Sequence, residues 1–185
     1  MDIVDVDAMN SYTWKRASVI YSPLHIFEGT IQPSDVNQGS LRNSYFLATL
    51  SSLAEVPNRV KAMFVTDKVN SAGIYMVRFF LNGRDTLVVV DDHLPCKQDG
   101  KPAFATSLDG EIWVCLLEKA WAKLHGNYFR TEGGLPSFAA THIMGVPTEA
   151  HLHEEVKDTE DFFAMLECAD RRNFIMMAAS HDNYN

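Results

Sequence analysis

Gln38-Gly39-Ser40-Leu41-Arg42-Asn43-Ser44-Tyr45-Phe46-Leu47-Ala48 is the stretch whose reading decides the fold, and it continues into Thr49-Leu50-Ser51-Ser52-Leu53-Ala54. From Tyr45 onward the residues are small and apolar nearly all round, the pattern of a helix buried on every side, and Pro57 bounds it. Ser44 therefore falls at the start of a buried helix. The first N–H groups of such a helix have no intrahelical partner, and the peptide dipoles place their positive end there.

Outward from this helix the punctuation is clear. A shorter helix is predicted over Asn58–Phe64. Gly73–Leu81 is strand-like, and Asn82-Gly83 is a strong hairpin signal. Thr86–Val90 forms the return strand, and its unbroken apolar run predicts burial on both faces. Asp91–Asp109 reads as a loop. Trp113, Leu116, Leu117, Ala120, Trp121 and Leu124 then recur at helical spacing up to Gly126. Gly133-Gly134 makes a turn, and a short helix precedes Gly145. Beyond Gly145-Val146-Pro147, a helix over Asp158–Arg171, with Phe162, Phe163, Leu166 and Ala169 on one side, is followed by a strand over Asn173–Ala178. Residues 1–43 read as irregular.

The 185 residues carry 16 Lys+Arg against 24 Asp+Glu, a formal charge of −8, with 46% hydrophobic residues. That composition folds, and it lacks the basic run a general nucleic-acid binder needs. The N-terminus shows no signal-peptide pattern, and no apolar run approaches the length that spans a bilayer. Cys96, Cys115 and Cys168 are too few and too scattered for a disulfide framework or a zinc motif. They read as free thiols of a reducing compartment.

The segment Gln38–Ala48 resembles the active-site motif of the calpains, calcium-dependent cysteine proteases of papain-like fold. Trp14-Lys15-Arg16, Val88–Pro95, Glu111–Gly126 and Gly133-Gly134 resemble further calpain motifs in the family's order. The resemblance implies an α+β fold, a papain-like calpain-type catalytic core. Residues 1–146 would be a complete first lobe with an N-terminal arm over 1–20. Residues 147–185 would be the start of an incomplete second lobe. It also places Gln38 as the side-chain donor to a developing oxyanion and Ser44 at the nucleophile position.

At that position the family has cysteine. A thiol at a helix N-terminus beside a histidine ionises readily, whereas a serine hydroxyl needs a base tuned to take its proton during attack. Ser44 in a Cys–His framework is expected to be inert. Arg42, where the family has glycine, is a second sign of lost function. It favours natural loss over a deliberate Cys-to-Ser exchange; a serine hydrolase is the remaining alternative. His181 lies at papain-like spacing from Ser44, but the residues after it do not match the family's histidine motif. It reads as a loop histidine, with the catalytic His and Asn absent from the chain.

The resemblance also implies one calcium site, built from the carboxylates of Asp35 and Glu111 and the backbone carbonyls of Glu28 and Thr30. The donors are chemically apt, since calcium takes oxygen ligands. Otherwise, Asp35 caps a turn and Glu111 complements a helix dipole. Asp91-Asp92 reads as a structural turn. His151 and His153, with Glu149, Glu154 and Glu155, read as a solvated acidic segment. The function expected is a non-catalytic interaction or scaffold module, calcium-responsive, with protein partners in a cytoplasmic, cytoskeleton- or cilium-associated assembly. The alternative is a calcium-dependent cysteine endopeptidase in an inactivated or truncated form.

Overall fold

The structure is a computed structural model that describes residues 11–108 and 110–179. In chain order its elements are β1 (Thr13–Arg16), α1 (Ala17–Ile20), α2 (Ser44–Ala54), α3 (Pro57–Ala62), β2 (Ile74–Leu81), β3 (Arg84–Asp91), β4 (His93–Cys96), α4 (Trp113–His125), α5 (Pro136–Met144) and α6 (Thr159–Arg171). This is an α+β arrangement with two small antiparallel sheets, β1–β4 and β2–β3.

α4 is the hub. Its heptad-like face was expected to be buried, but burial extends all round. Val114, Cys115, Glu118 and Ala122 are enclosed as fully as Trp113, Leu117 and Trp121. The lysines leave the core and close sheet edges. Lys119 Nζ donates to Asp91 Oδ1 at 2.7 Å and to the His93 carbonyl at 2.6 Å, and Lys123 Nζ donates to the Val89 carbonyl at 2.6 Å. Trp121 stacks on Phe46 of α2 at 4.8 Å and leans on Phe79 of β2 at 5.7 Å. Its indole N–H donates to the Tyr45 hydroxyl at 3.1 Å, so the helix ahead of which Gln38–Asn43 runs is fixed directly to α4.

The hairpin forms as the Asn82-Gly83 pair predicts, with Leu81 opposite Arg84 and positive φ at both turn residues (51° and 71°), the geometry of a type I′ turn. Burial of β3 on both faces does not hold. Val88 and Val90 face the core beside Tyr75, Val77 and Phe79, whereas Leu87 and Val89 are exposed on the other face. Among the described residues, helices pack on one side of this sheet only, so a run of β-branched residues is half-buried despite its uniform composition.

The N-terminal stretch is less irregular than its sequence suggests. β1 pairs with β4, Thr13 opposite Cys96 and Arg16 opposite His93, and the Arg16 guanidinium pairs with the buried carboxylate of Asp92. The Lys119 ammonium lies 5.3 Å over the Trp14 ring. Four residues whose partner strand lies about eighty positions away carry no local periodicity to betray them. Asp91-Asp92 is the structural turn expected: Asp91 Oδ1 accepts the His93 N–H at 2.7 Å.

α6 forms where predicted, capped by Asp158, whose Oδ1 accepts the Glu160 and Asp161 N–H groups at 2.9 and 3.0 Å. None of its residues is buried. The strand expected at Asn173–Ala178 does not form. Residues 174–179 are irregular and lie against α2 and α3. The Arg59 guanidinium donates to the Asn173 carbonyl, Ser52 Oγ to the Met176 carbonyl at 3.3 Å, and Thr49 Oγ1 to Met177 Sδ at 3.2 Å. A strand needs a partner edge, and none of the described strands offers one to this segment. Among the described residues, no helix is long and apolar enough to cross a membrane.

Candidate active site

Ser44 is the first residue of α2, and it is exposed while Asn43 ahead of it and Tyr45 after it are buried. The helical ladder begins with the Phe46 and Leu47 N–H groups, which donate to the Asn43 carbonyl at 3.0 and 3.2 Å. The Ser44 and Tyr45 N–H groups therefore stand ahead of the ladder, at the positive end of the helix dipole. A group on Ser44 Oγ that gains negative charge is favoured there.

Three links fix the loop that carries it. The Ser40 N–H donates to the Ala103 carbonyl at 2.9 Å, and the Gly133 N–H donates to the Arg42 carbonyl at 2.8 Å. Gly39 lies so close to the backbone of Phe104 that a Cβ would overlap it. Glycine is needed at 39 for this close approach rather than for a left-handed turn. A Cβ on Gly134 would come within 2.7 Å of the Tyr45 ring, which explains the glycine at that turn. Arg42 is exposed, and its φ lies outside the left-handed region. The backbone here accommodates a side chain, so Arg42 is not itself a structural sign of lost function; that argument rests on Ser44.

Gln38 is exposed, and its side-chain N–H donates to the Leu41 carbonyl at 2.8 Å within its own loop. One amide hydrogen is thus committed to the loop and the other is left for a ligand. Gln38 and Ser44 lie on the same short segment ahead of and at the start of α2. Sequence reasoning missed the group beneath them. Glu118 of α4 is buried. Its Oε1 accepts Asn43 Nδ2 at 2.7 Å, and its Oε2 accepts the Ala105 N–H at 3.0 Å. Burial pushes its carboxyl up to about 7, against the opposing pull of the two hydrogen bonds. The available signal was the spacing of Cys115, Glu118 and Ala122, a second stripe of small residues around the one acid of the helix. Neighbouring Cys115, buried and donating to the Ala105 carbonyl at 3.2 Å, is pushed to about 12 and is no nucleophile.

Of the residues the calcium reading names, Glu111 is buried and meets the Glu28–Thr30 loop. Its Oε1 accepts the Glu28 N–H, and its Oε2 accepts the Trp113 indole N–H at 2.8 Å. Asp35 Oδ2 accepts the Gln32 N–H at 2.8 Å in a reciprocal cap of the single turn Pro33–Asp35. Glu28 Oε2 pairs with His25 Nε2 at 2.8 Å. The donor set is all oxygen and suits a hard cation. Among the described residues, no group of three or more His, Cys, Asp or Glu side chains converges as metal ligands. His151 lies 3.5 Å from Glu149 in the solvated segment, and His181 is outside the described residues. The three cysteines are free, with Cys96 and Cys115 buried. Two open clefts, of about 290 Å³ beside Phe162 and about 480 Å³ beside Tyr21, are lined by neither Gln38 nor Ser44.

The sequence model of the calpain family cysteine proteases matches residues 4–185. The chain belongs to that family. It is 44% identical over 139 residues to the calpain-type cysteine protease DEK1 of Zea mays, which covers 71% of this chain. It is 37% identical over 155 residues to calpain-5 of Caenorhabditis elegans, covering 78% of this chain. It is 38% identical over 125 residues to the calpain-2 catalytic subunit of Homo sapiens, covering 65% of this chain. These matches span only 6%, 24% and 18% of the relatives' own lengths. The structure described here is thus a calpain-family protease core region. Its buried α2, its β2–β3 hairpin and α4 carry the calpain motifs read from the sequence.

Proposed function

We propose that this calpain-family domain is catalytically inert and acts as a non-catalytic interaction or scaffold module. The observation that carries the reading is Ser44, which stands exposed at the open end of α2 where the calpain motif has cysteine. The helix terminus lowers a thiol's pKa enough to make a thiolate, but a hydroxyl starts far above that range. Without a tuned base it stays protonated, and Gln38 and the Ser44 N–H have no oxyanion to stabilise. In this reading residues 1–146 are a whole first lobe, residues 147–185 open a second, and Gln38 and Ser44 keep their places without turnover.

Calcium responsiveness belongs to the same proposal. Asp35, Glu111 and the carbonyls of Glu28 and Thr30 would hold the ion, and Glu111 would exchange the Glu28 N–H for it. Two carboxylates imply micromolar affinity or weaker. The ion would order the 28–35 loop against the start of α4. A protein partner in a cytoplasmic or cytoskeletal assembly completes the picture.

The second reading, a calcium-dependent cysteine endopeptidase in inactivated form, is favoured by the 37–46% identity to proteases. A casein-type substrate with calcium separates the two. The proposal expects no hydrolysis by this chain; hydrolysis that Ser44→Ala abolishes overturns it.

A further inference from the structure

Asparagine ahead of a helix ordinarily turns its side-chain oxygen back onto the N–H groups of the first turn. Asn43 occupies that position and makes no such bond. Its side chain is fully enclosed and points its Nδ2 at Glu118 Oε1, 2.7 Å away, while its Oδ1 is buried without a partner. A buried carbonyl oxygen left unsatisfied costs free energy that capping would recover. The side chain is therefore held against its local preference. The holder is Glu118, whose other oxygen is anchored by the Ala105 N–H at 3.0 Å. Ala103 and Ala105 belong to the segment that also fixes Ser40 and closes on Gly39. The remaining titratable groups around Glu118 are Cys115 on its own helix and Tyr128. Burial pushes both upward, so they are neutral.

We infer that Glu118 is a positioning residue: by holding the Asn43 side chain off the start of α2, it keeps the first-turn Tyr45 N–H open toward a thiolate on residue 44. The inference rests on reading residues 38–44 as a papain-type nucleophile loop, but not on whether the chain turns over substrate. Without Glu118, Asn43 swings back, caps the helix and competes for the same N–H groups. A side chain that merely filled space would change stability without changing who occupies the helix terminus.

A thiol introduced by Ser44→Cys, in a Cys168→Ser background, reports on that terminus through its rate of alkylation by iodoacetamide against pH. Glu118→Met keeps the volume and deletes the acceptor. It is expected to raise the midpoint of the profile by about half a unit and slow alkylation about threefold at neutral pH. Adding Asn43→Ala, which removes the competing cap, is expected to restore the original midpoint. Glu118→Gln, which still accepts from Asn43, is expected to leave it in place. If Glu118→Met fails to fold, Asn43→Asp takes its place. Above neutral pH the two carboxylates repel, the side chain at 43 moves to the helix terminus, and the midpoint rises. An unchanged midpoint in the folded acceptor-deleted or repelled protein overturns the inference. So does a shift that Asn43→Ala fails to reverse. Peptide hydrolysis by the Ser44 chain would instead overturn the inert reading, and it leaves the thiol comparison intact.

Discussion

α4 and α6 are helices of the same length that share apolar residues at helical spacing and a basic last turn, although only α6 has acids in its first turn. In α4 nine of the thirteen residues are enclosed, the carboxylate of Glu118 among them. In α6 none is, and Phe163 is 67% exposed. The difference teaches that periodicity specifies the helix and one face of it, not what that face meets. α4 is walled by α2, the β2–β3 hairpin and the Ala103–Ala105 segment. Among the described residues, α6 is met by the acidic segment around His151 and His153, whose rings lie 5.5 and 6.3 Å from Phe162.

The largest test of this contrast is Trp121→Ala. Trp121 joins α4 to Phe46, Phe79 and Tyr45, so its truncation leaves a cavity that cannot close. A loss of about 3–5 kcal/mol in urea unfolding is expected. A loss under about 1 kcal/mol would show that α4 is not the keystone.

Next in size is the pH response of Glu118. Its folded carboxyl sits near 7 against an ordinary 4.5, so the folded state holds a proton that the unfolded state has released. Stability is therefore fullest below 4.5 and is lost as pH rises through 7. At about 1.4 kcal/mol per unit this amounts to about 3 kcal/mol between about pH 5 and about pH 8. Urea midpoints across that range should fall for the parent and stay flatter for Glu118→Gln. Parallel curves would mean that the carboxyl titrates normally.

The smallest expected effect is Phe163→Ala in α6, under about 0.5 kcal/mol, because an exposed ring leaves no cavity. A loss comparable to a core truncation would show that the helix is covered in solution, and would erase the contrast with α4.

Legibility followed the range of the interactions. α2, α4, α6 and the hairpin depend on neighbours within a few residues, and each was readable. So was the position of Ser44 at the head of α2. β1 was not, because its partner β4 lies far along the chain. Nor was the one-sided burial of β3, since valines alternate in environment without alternating in kind. The strand assigned to Asn173–Ala178 failed for the opposite reason: β-rich composition without an edge to pair with.

By itself, the sequence determined that a hydroxyl stands at position 44, at the head of a buried helix, because residue identity sets the acidity of the group there. It also determined the family, through motifs whose order along the chain is independent of packing. Only the tertiary structure decided that Asn43 faces Glu118 instead of its own helix, and that Glu111 meets the Glu28 loop. Both are contacts between side chains and segments about 75 and 83 positions apart, made possible by burial that removes water as the competing partner.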